Sequence, residues 1–152
     1  MDEDLESPRP PAALRMLVSW QAGKLATIGA RLYSQQLASP SRSDFAVLAC
    51  LSEYGDLSQA DLGRILGVDR NNINGICARL QHQGNLQRRN DPHDRRRNIV
   101  TITTDGATHF AALKTTARAV QAELLTGLTT EESAALSALL DKALRSHPSQ
   151  PA

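Results

Sequence analysis

Arg95, Arg96 and Arg97 stand in a row directly after Asp94, in a stretch that also holds Asn90, Asp91, Pro92 and His93. Adjacent guanidiniums at the end of a turn can reach along phosphates or enter a minor groove, and Asn, Asp and Pro favour the turn. An acid is out of place in a pure phosphate-binding tip, so Asp94 is expected to pair with a neighbouring arginine and fix the tip's shape. Such an exposed pair contributes only ~0–1 kcal/mol, which makes its value one of orientation. Earlier in the chain, Ile73, Ile76, Cys77 and Leu80 fall on one side of a helical wheel. Asn71, Gly75, Ala78 and His82 fall on the other, flanked by Arg70, Asn74 and Arg79. That outer face has little bulk and no acid. Asn can pair bidentately with adenine and Arg with guanine. Gly75 lowers helix propensity by about 1 kcal/mol relative to Ala, for which tight packing against a partner is a reason. A plain solvated face is the competing account, but Asn71, Asn72 and Asn74 weaken a helix and gain nothing from water.

Charge places these residues in one basic block. Between Arg64 and Arg97 eight arginines, Arg88 and Arg89 among them, stand against Asp69, Asp91 and Asp94, in a chain whose formal net charge is only +1. A basic centre in an otherwise mildly acidic chain marks a localised polyanion site. With 152 residues the chain is one domain in size and can bury a core. Aromatic residues make up 3%, so the core must come from Leu, Ile, Val and Ala, which favours helices over a β-sandwich. No apolar run reaches the ~18 residues of a membrane span, and the acidic N-terminus lacks the pattern of a signal peptide. No membrane partner and a cytoplasmic location are therefore expected.

The elements that must position the arginines follow from periodicity and punctuation. A first helix is expected from about Ala12 to Leu37, ended by Ser39-Pro40-Ser41, and a second from near Ser43 to a cap at Gly55. Asp56-Leu57 suits a small edge strand. Ser58 then reads as the N-cap of a short helix ending at Gly67, and Asp69 as the N-cap of a second closed by Gly84. A short helix, a Gly-containing turn and another helix form a helix-turn-helix. Two strands, Asn85 to Arg89 and the β-branched Asn98 to Thr103, make a hairpin around the arginine tip. One more helix runs from near Thr104 to about Leu125, and Thr129 with Glu132 is a capping box for the last.

These residues carry a resemblance. Leu57-Ser58-Gln59-Ala60-Asp61-Leu62, then Leu66-Gly67-Val68-Asp69-Arg70, Arg79-Leu80 and Gly84, is similar to the helix-turn-helix of the MarR family. Asp91 to Arg97, then Val100-Thr101-Ile102-Thr103-Thr104-Asp105-Gly106, resembles that family's wing and the joint after it. The likeness covers roughly residues 43 to 110. It implies a mainly α fold with a small β-hairpin wing, in which a winged helix-turn-helix core is flanked by N- and C-terminal dimerisation helices. Residues 12–146 would form one domain, with the winged helix-turn-helix at 43–104 and dimerisation helices at 12–38 and 105–146. Residues 1–11 and 147–152, rich in Pro, read as disordered tails. The resemblance puts Asp94 and Arg96 on the family's wing Asp-x-Arg positions, with Arg96 entering the minor groove. It implies a homodimer, and the long apolar stripes of both terminal segments support one independently. Its partner would be double-stranded DNA carrying a pseudo-palindromic operator, and its role transcriptional regulation, most naturally repression. Arg70, Asn71, Asn72, Asn74, Gly75 and Arg79 would approach the major groove. Arg88, Arg89, Arg95, Arg96 and Arg97 would supply phosphate and wing contacts, and Asp94 would orient the wing. Asn85 falls in a slot expected to vary freely.

Other chemistry finds less support. Family members often bind small aromatic or anionic effectors between the dimer helices and the winged domain. Trp20, Tyr33, Phe45 and Phe110 are the bulky candidates for such a pocket, against plain core packing, and Arg15 or Arg31 for the anion. Cys50 and Cys77 lie inside helical patterns and read as small core residues rather than redox sensors. The four histidines have no metal-ligand spacing, so neither a metal nor a cofactor is expected. No nucleophile elbow, phosphate loop or carboxylate pair is present, and an enzyme is not expected. Two alternatives stand beside the DNA-binding regulator released by an effector: a winged-helix protein-interaction module and a cysteine-based redox regulator.

Overall fold

The computed structural model describes residues 9–36 and 41–147. In chain order the elements are α1 (Ala12–Arg15), α2 (Val18–Gln36), α3 (Ser41–Tyr54), β1 (Leu57–Ser58), α4 (Gln59–Leu66), α5 (Arg70–His82), β2 (Leu86–Asn90), β3 (Asn98–Ile102), α6 (Thr104–Leu124) and α7 (Thr130–Arg145). The three strands form one antiparallel sheet in the order β1-β3-β2. β2 and β3 are the hairpin, with Arg88 opposite Val100 and Asn90 opposite Asn98. Leu57 and Ser58 lie along the far edge of β3, opposite Val100 and Ile99. The small edge strand thus includes Leu57, as expected, and stops short of Asp56.

The core sits inside the helix-turn-helix and its sheet. Ile73, Cys77 and Leu80 of α5 meet Val47, Leu48 and Leu51 of α3, and Leu62, Leu86, Val100 and Leu113 close it. Each fully buried aliphatic side chain contributes roughly 1.5–3 kcal/mol. The turns around this core are local chemistry. Ser58 Oγ accepts a hydrogen bond from the Asp61 amide at 3.1 Å and caps α4. Asp69 accepts from the Asn71 and Asn72 amides, both at 3.0 Å, and caps α5. Between them Gly67 adopts φ +63°, a left-handed conformation that other residues reach only at a cost.

Four sequence expectations change. The helix expected from Ala12 to Leu37 is broken after Arg15, and its expected end at Leu37 lies outside the described residues. The Leu17 amide bonds Leu14 O rather than a carbonyl four residues back, and the Gln21 side-chain amide donates to Arg15 O at 2.7 Å. Leu14, Met16, Leu17 and Val18 are exposed, so no packing holds the first turns in line. The second helix begins at Ser41, two residues before the expected start. The first hairpin strand shifts by one residue, to Leu86–Asn90, and the second ends one residue early, at Ile102: Asn85 and Thr103 form a corner instead. The Asn85 amide closes α5 on Leu80 O at 2.9 Å, while Asn85 O accepts from the Thr103 amide at 3.1 Å and the Thr103 hydroxyl donates to Gly84 O at 2.6 Å. Asn85 is therefore buried and structural, a role its sequence context did not signal. A Cβ on Gly106 would lie 2.0 Å from Asn85 O, which is why the joint into α6 holds a glycine. The tails at 1–11 and 147–152 and the break at 39–41 fall largely outside the described residues; of these, Pro11 precedes α1, Ser41 opens α3, and His147 closes the turn after α7.

α6 packs on α2 and α3, with Leu113 and Val120 buried. At the crossing with α2, Gly29 faces Leu124 at 3.5 Å from where a Cβ would stand. α7 behaves differently. Its capping box forms as expected, the Thr129 hydroxyl and the Glu132 carboxylate each accepting the other's backbone N–H, yet none of its residues is buried.

Candidate nucleic-acid interface

α4, the first half of α5 and the base of the hairpin enclose an open groove of about 850 Å³. Arg64, Arg70, Arg96 and Arg97 line it against a single acid, Asp69, whose carboxylate is already engaged in capping α5. Those cap hydrogen bonds, the Asn72 amide first, hold the Asp69 carboxyl below the usual carboxylate range. The groove is thus cationic at neutral pH, and α5 presents its N-terminal turn to it.

The hairpin tip is shaped by backbone hydrogen bonds to carboxylates. Asp91 Oδ1 accepts from the His93 amide at 2.8 Å, and Asp94 Oδ1 accepts from the Arg96 amide at 3.0 Å. The Arg97 amide donates to Asp94 O, and the Asp91 amide donates to Arg97 O, each at 2.9 Å, closing the loop. Asp94 also pairs with Arg96 Nε at 3.5 Å. The rest of Arg96 projects into solvent, with 93% of the side chain exposed. Arg95 and Arg70 are exposed too, and among the described residues neither has a hydrogen-bond or ion-pair partner.

Other candidate arginines are committed to the protein. Arg97 donates to Ser58 Oγ at 3.1 Å and to Asp61 Oδ2 at 3.2 Å, tying the base of the wing to the start of α4. Asp61 gathers Ser58, Arg64 and Arg97 around one carboxylate, and the Ser58 hydroxyl foremost holds its pKa below the usual value. From sequence Asp61 figures only in the helix-turn-helix stretch; its position three residues after Ser58 was the available signal of a cap, but the wing partner comes from the fold. Arg89 pairs with Asp56 at 3.2 Å. Arg79 departs most from expectation. Its guanidinium turns inward to Asp44, whose side chain is 5% exposed, and to Ser43, so α5 is braced on α3. Arg79 sits at the edge of the outer face on a wheel, and only the buried acid on α3 decides which way it turns.

The asparagines divide in the same way. Asn72 Nδ2 donates to Asp69, reinforcing the cap. Asn74 Oδ1 accepts from Arg88 Nη1 at 3.1 Å and from Gln59 Nε2 at 3.5 Å. Asn71 is exposed at the N-terminal end. Gly75 is exposed, and a Cβ there would meet nothing within 4 Å, so no packing within the chain explains it.

The sequence pattern described as the MarR family matches residues 41–97, the stretch that builds this groove. The HTH-type transcriptional repressor NicR of Pseudomonas putida is 33% identical over 117 residues, 76% of this chain and 74% of NicR. The chain belongs to the MarR family. Solved structures agree in shape. BpsR of Bordetella bronchiseptica, from a study of how 6-hydroxynicotinic acid regulates its DNA binding, is similar at a TM-score of 0.74 and 25% identity, over 83% of this chain and 97% of that one. A mutant MarR of E. coli complexed with operator DNA is similar at a TM-score of 0.66 and 25% identity, over 88% and 94%. The chain is a winged-helix transcription regulator of that family, and among its described residues no helix is long and apolar enough to cross a membrane.

Within this MarR-family chain the four aromatic residues expected to wall an effector pocket do not come together. Phe45 and Phe110 pack at a 45° tilt, 5.4 Å between centroids, against the core. Trp20 and Tyr33 share α2, and thirteen residues at 1.5 Å each separate them by about 20 Å. Trp20 lies under Lys24 and Tyr33 beside Arg42, at 5.4 and 5.8 Å. Both cysteines are buried and free. Burial pushes the Cys77 thiol up to about 11 and raises that of Cys50, so neither carries the thiolate a redox sensor needs at neutral pH. Among the described residues no group of three or more His, Cys, Asp or Glu is placed to hold a metal.

Proposed function

We propose that this chain is a homodimeric repressor that reads a pseudo-palindromic operator in duplex DNA and is released by a small aromatic anion. The observation that carries the reading is a set of outward-facing cations: Arg70 at the start of α5 and Arg96, whose side chain is exposed beyond its single contact with Asp94, line one groove whose lone acid is spent on a helix cap, and the exposed Arg95 stands next to Arg96 at the wing tip. An N-terminal turn of α5 in the major groove, with the wing along the backbone, is the geometry such a module uses. Asn71, Asn74 and Gly75 face the bases in this reading, and Arg95 and Arg96 the phosphates and minor groove. NicR is named as a repressor, which supports the sign of regulation. The 6-hydroxynicotinic acid that regulates DNA binding by BpsR, a hydroxylated pyridine carboxylate, supports the effector class. Tyr33 with Arg42 combines an aromatic face and a cation, the chemistry that such a ligand requires.

Titration of the purified chain against fragments of its native genome at two salt concentrations tests the reading. Tight binding to a few fragments, each with two half-sites about one helical turn (~10 bp) apart, and a steep loss of affinity with salt are expected. Equal, weak retention of all fragments would instead fit a winged-helix module that binds protein. Release by 6-hydroxynicotinic acid and related aromatic acids, but not by aliphatic acids, is the expected effector result.

A further inference from the structure

The proposal concerns which bases α5 can accept, and it rests on the DNA-binding reading above. Asn74 is the asparagine whose side chain is oriented from two other elements. Arg88, on β2, donates its Nε–H to Gln81 Oε1 at 2.5 Å and its Nη1–H to Asn74 Oδ1 at 3.1 Å. One planar guanidinium therefore bridges two amides that stand seven residues, about two turns, apart on α5. From the other side, Gln59 of α4 donates to the same Asn74 oxygen at 3.5 Å. Arg and the Gln amide nitrogen are donors only, so the atom they meet must be the carbonyl oxygen, and its two lone pairs are both taken. What Asn74 has left is its NH2 group, with two donors and no acceptor.

Asparagine reads adenine by doing both at once, donating to N7 while accepting from the N6 amino group. A carboxamide held as Asn74 is can donate only. Adenine set against it would leave its amino group facing an oxygen already filled. Guanine O6 and thymine O4 ask only for a donor. We infer that Arg88 is a positioning residue that sets Asn74 to read a keto base, guanine or thymine, and to reject adenine. Arg88 then acts on specificity through Asn74 rather than as a phosphate contact, which departs from the role expected for it from sequence.

Selection from a randomised duplex library with the full chain tests this. Asn74→Ala maps the position, because preference there is lost and others stay. Wild type is expected to enrich guanine or thymine at that position in each half-site. Arg88→Met frees the Asn74 oxygen, and the guanine-to-adenine ratio should fall about tenfold, the scale of one bidentate contact. Arg88→Lys keeps the charge but lacks the fork that spans both amides. It should relax the same position while leaving the slope of log affinity against log salt unchanged. Enrichment of adenine by wild type overturns the proposal. So does Arg88→Lys with wild-type preference, or Arg88→Met that weakens all duplexes equally with a slope lowered by about one contact. Those results leave DNA binding intact. Failure of the folded wild-type chain to enrich any duplex overturns the DNA-binding reading, and this proposal with it.

Discussion

At the scale of single residues, the arginines of the basic block separate by where their partners lie. Arg96 keeps most of its guanidinium in solvent at the tip, while Arg79 is spent on the buried Asp44. The two should fail differently when cut back. Arg96→Ala should leave the unfolding midpoint in urea unchanged, weaken operator binding, and lower the salt slope by about one. Arg79→Ala strands a buried carboxylate, and about 2–4 kcal/mol of stability should go with it. An Arg79→Ala chain of wild-type stability whose only defect is a lower salt slope would return Arg79 to the DNA. The type of a residue was legible from sequence, since an arginine in a basic block is a candidate for a phosphate. Its commitment was not, because Asp44 lies thirty-five positions away and meets Arg79 only after α3 and α5 pack.

At the scale of elements, the caps and turns were the most legible part of the chain. Ser58, Gly67, Asp69, Thr129 and Glu132 each act within a few residues of themselves, so local pattern suffices. The wing's attachment is a different matter: Asp61 reaches forward to Arg97 across the sheet. Loss of an acid from a cationic face normally strengthens polyanion binding. Asp61→Ala is nevertheless expected to weaken operator binding severalfold, because the wing loses its anchor. Tighter binding by Asp61→Ala would show that the anchor is idle. The carboxyls of Asp61 and Asp69 are both depressed in the folded chain from the ordinary value of 3.8. The stability they contribute is present above that value and is lost as pH falls through the folded pKa values. The thermal midpoint should therefore hold steady from neutral pH to about 4 and decline below it, with the Asp61→Asn chain declining less. A parallel decline in both chains would remove Asp61 from the account.

At the scale of the whole molecule, the apolar surface is unevenly spent. The winged unit buries most of its aliphatic residues, Ile65 excepted, whereas α7 leaves Leu139 65% and Leu144 69% exposed, and Met16, Leu17 and Val18 stand open at the other end of the chain. Exposed apolar faces on both terminal segments are what a twofold partner would cover. Leu139→Asp with Leu144→Asp should convert the dimer to a monomer in sedimentation. It should also lower operator affinity at least tenfold, since two reading helices held in one particle bind as a single unit. A double variant that sediments as a dimer would place the interface elsewhere. The break at Met16 belongs to this scale too: periodicity carries α2 straight back to Ala12, and only the lack of anything to pack on allows the chain to turn.

The amino-acid sequence alone was enough for the helical class, the helix-turn-helix with its wing, the caps at Ser58, Asp69 and Thr129 and the location of the positive charge. All of these depend on spacing along the chain, which is written in the order of residues. Tertiary structure alone decided which arginines face outward, that Asn74 has its oxygen filled, that Asn85 and Gly106 share a corner, and that Phe45 meets Phe110 while Trp20 and Tyr33 stand apart on α2. Those outcomes depend on contacts between residues far apart in the chain, and a hydrogen bond or a buried ion pair exists only once packing has brought both partners within about 3 Å.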